Sequence, residues 1–195
     1  MKVTQHLPED YREVYAVDLE KNKKSALYVN LLAVLITILM VIGMNFIIPL
    51  SSLFEDHLGA PALIVRMLVM IALLIAYIVL HEVTHGIAMK LCGCKKITYG
   101  FSGMYAYACA SEFFRKTPYL FVALSPVFLW GVVLSVVGLL VPESWFWVFY
   151  VIQIANIAGA AGDYYVAFHF FYLPDDILVY DTGTAMTVYS QKVKK

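Results

Sequence analysis

Four stretches of this chain run for about 20 residues or more with hardly a charge, each long enough to cross the ~30 Å hydrocarbon core of a bilayer. They read as spans over about 27–50, 63–90, 119–141 and 145–173, with Pro49, Pro118, Pro142 and Pro174 near their ends. Because the runs are apolar on every face rather than along one stripe, they are not coiled-coil helices. Composition points the same way. Of the 195 residues, 62% are hydrophobic and 14% charged, and the mean hydropathy is +0.76. A soluble domain averages ~45–50% apolar and ~25% charged, and one this small has too little interior to hide the excess. Disorder, a disulfide scaffold and a nucleic-acid binder are excluded on the same grounds. The expected fold is therefore all-α: a single integral membrane domain over 1–195, with 1–26 as an N-terminal segment and 174–195 as a tail.

Charge placement orients the spans. The chain carries 14 Lys and Arg against 14 Asp and Glu. The basic residues sit before span one (Lys2, Arg12, Lys21, Lys23, Lys24), between spans two and three (Lys90, Lys95, Lys96, Arg115, Lys116) and in the tail (Lys192, Lys194, Lys195). Only Arg66 falls on the other side, near Glu55, Asp56 and Glu143, at a depth from which its head can snorkel to the interface. The positive-inside rule then places both termini in the cytoplasm of a multi-pass cell-membrane protein whose surroundings are lipid. Between spans two and three, Lys96–Ala110 reads as a hairpin turning at Ser102-Gly103. Cys92, Cys94 and Cys109 are an odd set, too closely spaced for a zinc knuckle.

Glu82 and Asp163 are the acidic residues inside the spans, and a carboxylate at that depth is costly unless paired, protonated or metal-bound. Glu82 lies in His81-Glu82-Val83-Thr84-His85, two histidines at i and i+4 on one helical face with a carboxylate beside the first. That spacing suits Zn2+, with Glu82 as the base that takes a proton from the attacking water. A catalytic zinc site needs a third protein ligand. Candidates are Asp163, His169, Glu112, Asn156, Asp175, Asp176 and Asp181. Depth favours Asp163: at 1.5 Å per residue, His81 and Asp163 each lie ~27 Å from the outer ends of their spans. The small residues Gly159, Ala160, Ala161 and Gly162 before Asp163 let another helix approach. His169, nearly two turns further on, is the weaker alternative.

The HExxH motif, the Leu124-Ser125-Pro126-x-Phe128 stretch and the Asn156-x6-Asp163 spacing together resemble a family of short bacterial and archaeal membrane proteins described as zincin peptidases. That family is in turn similar to the site-2 intramembrane zinc metalloproteases. In the latter, an Asn-x-x-Pro-x4-Asp-Gly motif supplies the third zinc ligand. Here the spacing is one shorter, the proline is missing and Gly162 precedes the aspartate. The resemblance implies Asp163 as ligand, Asn156 as a substrate-positioning residue, and hydrolysis of membrane protein or peptide substrates near the cytoplasmic face. A non-catalytic metal-binding membrane scaffold is the alternative. A small transporter is disfavoured by the lack of repeats.

Overall fold

The computed structural model describes residues 2–54, 59–103 and 105–191. Glu55, Asp56, Lys192, Lys194 and Lys195 of the charge argument lie outside them. The order of elements is β1 (Val3–Thr4), β2 (Arg12–Asp18), α1 (Lys23–Asn45), a 3-10 turn (Leu50–Leu53), α2 (Ala60–Cys92), β3 (Ile97–Phe101), β4 (Ala106–Ala110), β5 (Phe113–Arg115), α3 (Lys116–Leu140), α4 (Glu143–Gly159), α5 (Ala161–Phe170), β6 (Leu178–Asp181) and β7 (Ala185–Ser190). The helices α1, α2, α3 and α4 with α5 are long and apolar enough to cross a membrane, as a multi-pass membrane protein requires. Much of their surface is bare hydrocarbon: Leu139, Phe46 and Leu140 are 86%, 85% and 78% exposed. Monomeric soluble proteins do not leave apolar areas of this extent uncovered.

Local chemistry sets the helix ends. Asn22 caps α1, its Oδ1 accepting the amides of Lys24 and Ser25 at 3.2 Å each. At the end of α2, Gly93 takes φ +104°. Its amide returns to the Lys90 carbonyl and that of Cys94 to the Met89 carbonyl, closing the helix as glycine C-caps do.

Three findings depart from the sequence reading. The all-α expectation is overturned by seven strands among the described residues, in an antiparallel five-stranded sheet ordered β1-β5-β6-β7-β2 and a β3–β4 hairpin. The expected fourth span is not one helix, because the ladder breaks at Ala160, between α4 and α5. Glycine is a poor helix former, and the small-residue run, whose Ala160 and Ala161 are each 1% exposed, hosts this break. Arg66 does not snorkel: it is 5% exposed and donates to the Leu53 carbonyl at 3.4 Å. The hairpin is present as expected, closed at its tip by the Ser102 amide bonding to the Tyr105 carbonyl.

Contacts divide the chain into two compact units. One takes in residues 30–80 and 126–161, and is a helical bundle in which Leu53, Trp147 and Val148 are buried. Its polar groups pair within the bundle: Trp147 Nε1 with the Pro49 carbonyl at 3.1 Å, Tyr150 with the Met40 carbonyl at 3.2 Å, and Gln153 Nε2 with the Gly131 carbonyl at 3.3 Å. Such ties are what polar side chains do where water is absent. The other unit comprises 1–29, 81–125 and 162–195. Here Phe114, Phe170, Ile177, Val179 and Val188 are fully buried in a core shared by the five-stranded sheet, the end of α2 (Ala88, Met89) and the start of α3 (Tyr119, Val122). The N-terminal segment, the α2–α3 connection and the tail are thus hydrogen-bonded into one sheet.

Candidate metal centre

Glu82 and Asp163, the acidic residues that the sequence places inside the spans, both lie in this second unit. His81 and His85 project from one face of α2 with their rings 4.8 Å apart. Asp163 stands in the first turn of α5, placed there by the break at Ala160. His81 Nε2 and His85 Nε2 are 3.2 Å apart, and the Asp163 oxygens lie 3.7 Å from the first and 3.8 Å from the second. An ion with tetrahedral bonds of ~2.0–2.1 Å separates its ligand atoms by ~3.3 Å. The histidine nitrogens stand at that separation, and the two Asp163 oxygens, each nearest a different histidine, bring one carboxylate atom within 4.8 Å of both, so the donor set suits zinc in identity and lies close to the spacing it needs. Among the described residues this is the group of three or more His, Cys, Asp or Glu side chains able to hold a metal ion. Each of the three side chains keeps between 11% and 23% of its surface exposed, leaving a way in for a small molecule.

His85 has its tautomer fixed from behind. Its Nδ1 lies 3.0 Å from the Val122 carbonyl, an oxygen that can only accept. Nδ1 therefore carries the proton and Nε2 keeps its lone pair for the shared centre. A carbonyl in this role is the usual outer partner of a ligating histidine.

Glu82 sits partly buried beside the group, within electrostatic reach of both histidines, Asp163 and the Ala108 backbone amide on β4. Ala108 is the cross-strand partner of Tyr99. The hydroxyl end of Tyr99 in turn reaches Gly86, where an added Cβ would come within 1.9 Å of it, so a side chain at 86 would push Tyr99 aside.

The remaining candidates are occupied elsewhere. His169 bonds through Nδ1 to the Tyr165 carbonyl at 2.7 Å and stacks on Tyr15. Glu112 accepts the Lys95 amide at 2.9 Å, Asp175 pairs with Lys116 at 3.0 Å, and Asp176 accepts from Ser190 and Gln191. Asn156 belongs to the helical bundle, fully buried, where Oδ1 accepts from Tyr77 at 2.8 Å and Nδ2 donates to the Val127 carbonyl at 3.3 Å. The three cysteines are free thiols, Cys92 and Cys94 buried in the core.

Asp181 on β6 has a place here that sequence reasoning left undeveloped. It accepts the Tyr119 hydroxyl and, at 2.7 Å, the Gly183 amide. Burial pushes its carboxyl above the usual range against those two donors and the nearby His85. It had appeared only as one tail acid among several, and Tyr119 carried no signal at all.

A family model described as "Putative zincin peptidase" matches residues 74–178, more than half of the chain. That stretch contains His81, Glu82, His85 and Asp163. No curated protein and no solved structure matches the chain.

Proposed function

The chain belongs to the zincin peptidase family, and from that premise we propose that it is a membrane-embedded zinc metallopeptidase of the site-2 type. Its substrates are membrane-associated proteins or peptides, cut near the cytoplasmic face. The observation that carries this reading is the convergence of His81 Nε2, His85 Nε2 and the Asp163 carboxylate within 4.8 Å of one another, with Glu82 beside them. Zinc, when bound by these three, supplies a Lewis acid for the scissile carbonyl and acidifies the attacking water. Glu82 accepts the proton of that water and returns it to the leaving amine. Val122 holds His85 in the ligating tautomer. A substrate helix must unwind before its backbone is open to attack. The β3–β4 hairpin, lying against Glu82, offers a strand edge to the extended segment.

The shared sheet supports the orientation drawn from the charges, with both termini and Lys95 on the cytoplasmic side. One proteoliposome experiment tests reaction and orientation together. Reporter peptides with a destabilised transmembrane segment should be cleaved, cleavage should stop on zinc chelation and return with zinc. In the same preparation, single cysteines at Lys95 and Gln191 should label from one side and a cysteine at Glu143 from the other. Cleavage indifferent to chelation, or Lys95 and Glu143 labelling from the same side, contradicts the proposal.

A further inference from the structure

The helix α3 runs unbroken from Lys116 to Leu140 with a proline, Pro126, in its interior. In an α-helix each amide donates to the carbonyl four residues before it, so residue 126 is the ordinary partner of the Val122 carbonyl. Proline has no amide hydrogen to give. The vacated carbonyl has been taken up by two side chains, His85 Nδ1 at 3.0 Å and Ser125 Oγ at 2.9 Å. Two donors use up the two lone pairs of the oxygen.

The ordinary reading of such a proline is a tolerated irregularity in a membrane helix, whose freed carbonyl finds whatever donor is near. Ser125 alone would meet that need, as a serine reaching back over one turn often does. Nothing in that reading requires the second donor to be the outer nitrogen of one of the histidines that converge on Asp163.

We infer that Pro126 is a positioning residue for the metal centre: by withholding an amide from α3, it reserves the Val122 carbonyl for His85. His85 is then held with Nε2 unprotonated and turned toward His81 and Asp163. The inference rests on the zinc reading for its purpose, though the contact it describes exists without metal.

The test replaces Pro126 in two ways. Pro126→Ala restores the amide, which competes with His85 for the carbonyl. Replacement by lactic acid at the same position gives an ester, which lacks the N–H as proline does but has no ring. Zinc affinity, measured by competition with a chelating dye, should fall ~10–100-fold in Pro126→Ala, the usual cost of losing an outer-shell partner. It should stay near wild type in the ester. In metal-free protein, 15N spectra of His85 should show the Nδ1–H tautomer depleted in Pro126→Ala and kept in the ester. The thermal midpoint of metal-free Pro126→Ala should not fall, because alanine is the better helix former. Affinity and tautomer unchanged in Pro126→Ala would overturn the inference, as would equal losses in the alanine and ester variants, which would assign the effect to the ring. If the wild type binds no zinc, the zinc reading fails, while the tautomer measurement still decides the contact.

Discussion

Glu82→Gln is expected to leave zinc binding intact and to lower the rate of peptide hydrolysis by ~10²–10⁴-fold, the usual consequence of removing a general base. The glutamine keeps the shape of the side chain and one of its two oxygens. His81, His85 and Asp163 are untouched, and the thermal midpoint should move little. What is lost is the capacity to accept a proton from water. Parallel measurement of zinc content and of cleavage in proteoliposomes separates the two effects. A Glu82→Gln variant that cleaves as fast as wild type removes the hydrolytic mechanism proposed here. One that holds zinc beside an equally inactive wild type points instead to a metal-binding scaffold.

Replacing Asp163 should damage the centre itself. Asp163→Asn preserves the volume of the side chain but removes its charge, so two neutral imidazoles are left to hold a divalent ion with a weak amide oxygen. The loss in zinc affinity should exceed the ~10–100-fold that follows from losing an outer-shell partner. His169→Ala is the matched control. Its ring stacks on Tyr15 and bonds to the Tyr165 carbonyl, so its removal should cost packing and leave zinc affinity alone. Affinity retained in Asp163→Asn and lost in His169→Ala would transfer the third ligand to His169.

Both variants act on groups that the sequence already marked, and the reason is physical. An HExxH helix is a local pattern, fixed by a four-residue period. A carboxylate inside an apolar run stands out because burying it there is costly. Equal depth along two spans that run in the same direction was enough to pair His81 with Asp163. The spans were legible for the same reason, since hydropathy over 20 residues is a local sum.

What escaped was built from distant pieces. The five-stranded sheet joins β1 and β2 near the N-terminus, β5 between α2 and α3, and β6 and β7 beyond α5. Most of its strands are two to five residues long, too short for alternation to show. β2 and β7 are longer, and along β7 Met186, Val188 and Ser190 alternate inward, a period-two signal in a segment read only as a charged tail. The break at Ala160 was misjudged because a small-residue run serves either close packing or helix termination, and the sequence does not distinguish them. Asp181 was one acid among several until its Tyr119 partner came into view, and the meaning of Pro126 emerged only with the Val122 carbonyl in place.

The central claim is that His81, His85 and Asp163 hold one zinc ion. It is tested most directly by metal analysis of the purified wild-type protein together with X-ray absorption at the zinc edge. The expected result is close to one zinc per chain, coordinated by two imidazole nitrogens and light oxygen donors at ~2.0–2.1 Å, with no sulfur. Absence of zinc at full folding, or a sulfur shell at ~2.3 Å that implicates the cysteines, would contradict it.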